Sequence, residues 1–97
     1  MIVAGLQLDI AWEAPEENLR RADALAARAA AAGARLAVLP EMFNTGFSMA
    51  AERVAPHAEA TRAGLANIAR RHGLWLVGGY AEPGEGGGRP RNACSLI

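Results

Sequence analysis

The sequence contains no lysine; all ten of its basic residues are arginine. A phosphate-cradling loop of the GxxxxGK(S/T) kind is therefore excluded, and the run Gly86–Gly88 reads as a turn. There is one cysteine, Cys94, so no disulfide forms within the chain, which fits a reducing cytoplasm. Neither sign of charge is in excess. Ten arginines face ten Asp plus Glu, giving a formal net charge of zero. The arginines are interleaved with acids, which argues against a nucleic-acid face and against attraction to an anionic membrane. Long apolar runs are missing as well. MIVAGLQLDI lacks a basic n-region and is interrupted by Asp9, and the stretch Ala22–Ala34 contains Asp23 and Arg28. Neither reads as a signal peptide or a membrane span.

What remains is a chain of 97 residues, 52% of them hydrophobic. That is globular composition and enough for one small domain of modest stability. Ile2 to Leu8 reads as a buried strand, and Asp9 to Ala14 as a loop carrying Trp12. Pro15 suits a first helical position, and Glu16 and Glu17 suit the positive end of the helix dipole. Glu16 can meet Arg20, and Glu17 can meet Arg21, at i,i+4. Leu19, Ala22, Ala26 and Ala29 mark one apolar face with Leu25 beside it, and the small side chains suggest close packing on a sheet. Gly33 suits the position just past the helix end.

Leu36 to Leu39 is a second strand, stopped by Pro40. Strand, helix and strand in this order predict a βαβ unit with parallel, neighbouring strands. Residues 41–56 have no clean period and read as a long ordered loop, of a kind often functional. A helix over residues 58–72, with Leu65, Ile68, Ala69 and His72 on one face, closes at Gly73. Leu74 to Gly79 is a third strand, with Trp75 and Leu76 expected in the sheet core. EPGEGGGRP is a turn, and Asn92 to Ile97 a fourth strand. A strand that stops at the last residue leaves an open sheet edge. The whole reads as the opening of an α/β protein, so residues 1–97 are expected to be the N-terminal portion of a longer domain.

Ligands of open parallel sheets bind beyond the carboxyl ends of the strands. The residues there after the second strand are Pro40 and Glu41. Flanked by Leu39, Met42 and Phe43, the Glu41 carboxylate is expected to be partly desolvated, which would suit a general base. On spacing alone, a solvated loop carboxylate or helix cap is the commoner reading. Phe43 and Phe47 either wall a substrate pocket or anchor the loop. Cys94 is expected to be a packed core thiol, and His57 and His72 to be structural.

LPEMFNTGFSM, residues 39–49, resembles the segment around the catalytic glutamate of nitrilase-superfamily amidases. VAGLQLDIAWEAPEENL resembles the first strand and helix start of that family, RLAVLPE its second strand, and HGLWLVGGY and RNACSLI its third and fourth strands. The MFNTGFSM extension is most similar to ω-amidases, which release ammonia from 2-oxoglutaramate or 2-oxosuccinamate. The resemblance implies an αββα sandwich, of which this chain is the βαβ–αββ beginning, and pairing of the parent protein as a homodimer. It implies a Glu–Lys–Cys triad without metal or cofactor, acting on a small-molecule amide. Only the glutamate carries over, onto Glu41 as general base. The family lysine and nucleophilic cysteine fall past Ile97, and Cys94 is not at the nucleophile's position. The 97-residue chain alone is thus expected to be inactive. Other branches (nitrilase, N-carbamoylase, aliphatic amidase) and a non-catalytic assembly piece remain as alternatives.

Overall fold

A computed structural model describes residues 1–97. Four strands form one sheet in sequential order: β1 (Ile2–Gly5), β2 (Ala34–Val38), β3 (Trp75–Glu82) and β4 (Arg91–Leu96). The first three run parallel, and β4 returns antiparallel to β3. Two helices carry the parallel crossovers, α1 (Pro15–Ala31) and α3 (Ala58–His72), with a single-turn α2 (Ala51–Val54) before the second.

Helix α1 begins where the sequence places it, with Pro15 in the first turn and Glu16 and Glu17 behind it. Gly33 follows its end with φ +89°, a conformation that costs a side-chain-bearing residue energy. The charge pairing differs from expectation in one respect. Arg20 turns back to Glu17 at 2.5 Å instead of to Glu16, and Arg21 reaches the same carboxylate at 2.9 Å. Glu17 thus serves both guanidiniums, whose hydrogen bonds hold its carboxyl down to about 2.

Strand β1 is shorter than expected, ending at Gly5, and it is not a buried strand. Ile2, Val3 and Gly5 are exposed, and burial begins only past its end at Leu6 and Leu8, with Leu6 N still bonded to the Val38 carbonyl at 2.9 Å. Strand β3 is longer, reaching Glu82, because Tyr80, Ala81 and Glu82 find partners in Ala93, Asn92 and Arg91. Residues 41–56 are not all loop. Ala51–Val54 and a 3-10 turn at Ala55–His57 lead into α3, too short to show a period in the sequence.

Both helices lie on one face of the sheet. Ala22, Ala26 and Ala29 of α1 and Leu65, Ile68 and Ala69 of α3 share a core with Ala37, Leu39, Leu76 and Tyr80. Side chains alternate across a strand, so the residues between these point to the other face, which no element covers. Val3, Val38, Trp75 and Leu96 are exposed there. This overturns two expectations. Leu76 is core, but its neighbour Trp75 is 60% exposed. Cys94, opposite Gly79, is an exposed free thiol and not a packed one. No helix is long and apolar enough to cross a membrane.

Candidate active site

The loop after β2 is fastened to β3 at two points. Leu39 N donates to the Val77 carbonyl at 2.8 Å, and Phe43 N donates to the Gly79 carbonyl at 3.1 Å. Between them stand Pro40, Glu41 and Met42. Met42 has φ +53°, an uncommon backbone for a residue with a side chain. Such strain survives only where the surroundings impose it, and it concentrates at functional sites. On either side of this kink the side chains part: Phe43 is fully buried, and Glu41 is exposed.

Glycine at position 79 permits this close approach. A Cβ there would lie 3.2 Å from Glu41 Cα and 3.4 Å from Met42 N, both backbone atoms. Glu41 accordingly sits against β3 at the carboxyl end of β2. Its Oε1 accepts a hydrogen bond from Asn92 Nδ2 of β4, fifty-one positions away. The expectation of a desolvated carboxylate is not met in this chain. Leu39, Met42 and Phe43 are all buried, but Glu41 among them is exposed.

The two phenylalanines also part. The Phe43 ring lies in the main core, where a Cβ on Gly78 would come within 3.0 Å of it, and there it anchors the loop. Phe47 is 66% exposed near Trp12 and Met49, which are also exposed. Of the remaining candidates, His57 is exposed, and His72 Nε2 lies 2.7 Å from Asp23 Oδ1, tying α3 to α1. No group of three or more His, Cys, Asp or Glu converges as a metal site would require. A groove of about 610 Å³ lies between the starts of α1 and α3, lined by residues including Pro15, Arg20, His57 and Thr61 and not by Glu41.

Sequence reasoning passed over the polar residues that hold the loop. Asn18 is fully buried in the first turns of α1. Its Nδ2 donates to the Asn44 carbonyl at 2.7 Å and to the Ala11 carbonyl at 2.8 Å. Its Oδ1 accepts from Ala11 N at 2.7 Å. Asn44 Nδ2 in turn donates to Thr61 Oγ1 of α3 at 2.9 Å. A signal was present, because Asn18 heads the stripe Ala22, Ala26, Ala29 and Thr61 heads Leu65 and Ile68 at helical spacing. A second clamp joins Glu13 to Arg53 at 2.5 Å and to Ser48 at 3.4 Å. The Arg53 hydrogen bond lowers the Glu13 carboxyl below its usual range.

Comparison with known proteins agrees along the whole chain. The carbon-nitrogen hydrolase model matches residues 2–97. Omega-amidase NIT2 of Danio rerio is 41% identical over 85 residues, covering 84% of this chain and 30% of that protein. A nitrilase of Pyrococcus abyssi is 34% identical over 88 residues, covering 82% of this chain and 33% of its own length. The chain thus spans about a third of the curated relatives it matches. The crystal structure of an amidase from Nesterenkonia sp. superposes with a TM-score of 0.85 at 33% identity, covering 97% of this chain and 36% of that one. A glutamate-to-glutamine mutant of the amidase from Nesterenkonia sp. AN1, with TM-score 0.85 and 32% identity over 97% of this chain and 38% of its own, shows the result of Michael addition of acrylamide at its active site cysteine. Matched over residues 2–97 and superposable on amidases of that fold, the chain belongs to the carbon-nitrogen hydrolase family.

Proposed function

We propose that this chain is the N-terminal portion of an amidase that hydrolyses the carbon–nitrogen bond of a small amide and releases ammonia, with Glu41 as its general base. The observation that carries the reading is the placement of Glu41. It stands at the carboxyl end of a parallel strand, on a strained turn, with its backbone pressed onto Gly79 and its carboxylate hydrogen-bonded by Asn92. A carboxylate so oriented suits proton transfer once apolar neighbours exclude water from it. In the complete enzyme, further chain laid over the bare sheet face would supply that shelter.

In the proposed reaction Glu41 takes the proton of a cysteine thiol, and the thiolate attacks the amide carbonyl. A lysine ammonium stabilises the oxyanion. The carbon–nitrogen bond breaks, the leaving nitrogen takes the proton from Glu41, and ammonia departs. Water, deprotonated by Glu41, then attacks the thioester carbonyl, the carbon–sulfur bond breaks to release the acid, and the departing thiolate recovers the proton from Glu41. Both the lysine and the cysteine would lie beyond Ile97, since the chain has no lysine and Cys94 occupies β4. The 97 residues alone are therefore inactive in this reading, and no metal or cofactor is required. The sequence MFNTGFSM and the two-fifths identity to an omega-amidase favour an ω-amidase-like substrate, 2-oxoglutaramate or 2-oxosuccinamate, over those of a nitrilase, N-carbamoylase or aliphatic amidase. A homodimeric parent in a reducing cytoplasm completes the proposal.

The test is ammonia release from 2-oxoglutaramate by the full-length hydrolase and its Glu41→Gln variant. Turnover by the parent, lost in a variant that keeps its melting temperature, is the expected result. Wild-type-like turnover in Glu41→Gln removes Glu41 from the mechanism. Turnover by the isolated chain that survives Cys94→Ala and repurification overturns the placement of the nucleophile beyond Ile97.

A second reading, an assembly piece without chemistry, draws on the exposed apolar sheet face of Val3, Val38, Trp75 and Leu96. A dilute monomer that melts cooperatively argues against it.

A further inference from the structure

We infer that Asn92 is the positioning residue for the Glu41 carboxylate, holding Oε1 so that Oε2 is the oxygen left to take a proton. The inference rests on the reading of Glu41 as general base and adds the group that aims it.

A glutamate side chain rotates about three bonds, and an exposed one samples many rotamers. Glu41 is exposed, makes no ion pair, and receives a single side-chain hydrogen bond, from Asn92 Nδ2. That bond alone fixes the direction of its carboxylate. The two residues are far apart in sequence but share one support. Glu41 is placed by the loop bonds to Val77 and Gly79 on one side of β3. Asn92 is placed on the other side by the antiparallel register that pairs it with Ala81. Strand β3 therefore sets the distance between them, and the missing side chain at Gly79 lets Glu41 come within reach.

The chemistry of the donor fits the role. A carboxamide donates to a carboxylate without bringing a formal charge, so it orients the group without drawing it into an ion pair. A guanidinium in the same place would pair with the carboxylate and favour its ionised form. Such a cation is adjacent in the chain, but Arg91 is turned away to Glu82 at 3.1 Å and Glu85 at 3.7 Å. Alternation along β4 thus presents the neutral donor to Glu41 and sends the charged one elsewhere.

The experiment uses the full-length hydrolase and compares Asn92→Ala, Asn92→Asp and Glu41→Gln. Misaligning a catalytic group by about an ångström costs on the order of 100-fold in rate. Asn92→Ala is therefore expected to lower kcat by about 10- to 100-fold, with KM within about twofold and the melting temperature unchanged, since positioning acts on the transition state. Asn92→Asp, the same shape with a repelling charge in place of the donor, is expected to fall further. Loss of activity in proportion to a lowered melting temperature would mark a structural role and overturn the inference. So would a wild-type kcat in Asn92→Ala while Glu41→Gln is dead, which leaves the general base standing and removes only its orienting partner. Full turnover in Glu41→Gln overturns both. A crystal structure of Asn92→Ala supplies a readout independent of rate: a disordered or rotated Glu41 side chain supports the inference, and an unmoved one overturns it.

Discussion

Asn18 and Asn44, twenty-six positions apart, are joined by a buried hydrogen bond of 2.7 Å from the Asn18 amide to the Asn44 carbonyl. The bond runs from the first turns of α1 to the loop that carries Glu41, and Asn44 continues it to Thr61 on α3. The loop is therefore held from beneath by polar contacts in a region where each unmade bond is costly.

The first prediction follows from that cost. Asn18→Leu fills the space but withdraws both the donor and the acceptor from Ala11 and the donor from Asn44. Stranding a buried backbone group costs about 1–3 kcal/mol. The bond to the Asn44 carbonyl is buried and the two to Ala11 are only partly so, where water can replace them, so a loss of about 2–4 kcal/mol is expected. Urea unfolding would show it as a lower midpoint at unchanged slope. Hydrogen exchange would show earlier opening of residues 41–49. An unchanged midpoint would mean that water replaces the amide at no cost.

Much of this architecture was legible before the fold was known, and the reasons differ by element. The α1 and α3 boundaries follow from Pro15, Gly33 and Gly73, which act through local backbone geometry alone. The parallel pairing of β1 and β2 follows from the length of the crossover between them. Glu41 could be placed at a strand end for the same local reason. Its exposure could not, because burial depends on what covers a sheet face, and the run LWLVGG looks equally apolar on both faces. Trp75 and Cys94 were misplaced for that reason. Asn92 carried no local signal at all, since its pairing with Glu41 depends on the β3–β4 register.

The bare face gives a second prediction. Val3, Val38, Trp75 and Leu96 present apolar surface to water on one side of the sheet. Contiguous apolar surface of this kind drives association. The isolated chain is expected to associate with a second copy at raised concentration, and Trp75→Gln to shift it toward monomer without loss of stability. In the full-length hydrolase the same substitution is expected to be destabilising, by about 2–4 kcal/mol, because there a second layer would bury the indole. Light scattering on the chain and calorimetry on the full-length protein check the two signs. A neutral effect in both settings would show that nothing packs on this face.

A third prediction concerns acid. Hydrogen bonds from Arg20 and then Arg21 lower the Glu17 carboxyl from 4.5 to about 2. A carboxyl whose folded value is depressed contributes its stabilisation in full above its unfolded value and loses it as the pH falls through the folded one. The contribution is therefore present above about 4.5 and fades between that value and about 2. Glu13, lowered by Arg53, acts in the same direction. Because both pairs are solvated, the effect is small and weakens with salt. Urea midpoints measured from neutral pH downward should fall less steeply in Glu17→Gln than in the wild type, and a parallel fall would exclude the pair.

The last prediction tests the surface on which Glu41 rests. At Gly79 the contacts that a new Cβ would meet are Glu41 Cα at 3.2 Å and Met42 N at 3.4 Å, with the Ala93 carbonyl at 3.5 Å. These are backbone atoms and cannot swing aside as a side-chain end can. Gly79→Ala must therefore push the Glu41 turn outward by a few tenths of an ångström, and Gly79→Val further. The bond from Phe43 N to the Gly79 carbonyl resists that movement, so the displacement is taken up at Glu41 and the strained Met42. Overpacking of this kind costs about 1–3 kcal/mol. In the full-length hydrolase the stability loss should be modest beside the loss of rate, since the reach from Asn92 to Glu41 lengthens at the same time. Kinetics and melting of the Ala and Val variants, measured together, decide the matter. If turnover falls only as far as the folded fraction does, the close approach at Gly79 serves packing and not the placement of the carboxylate.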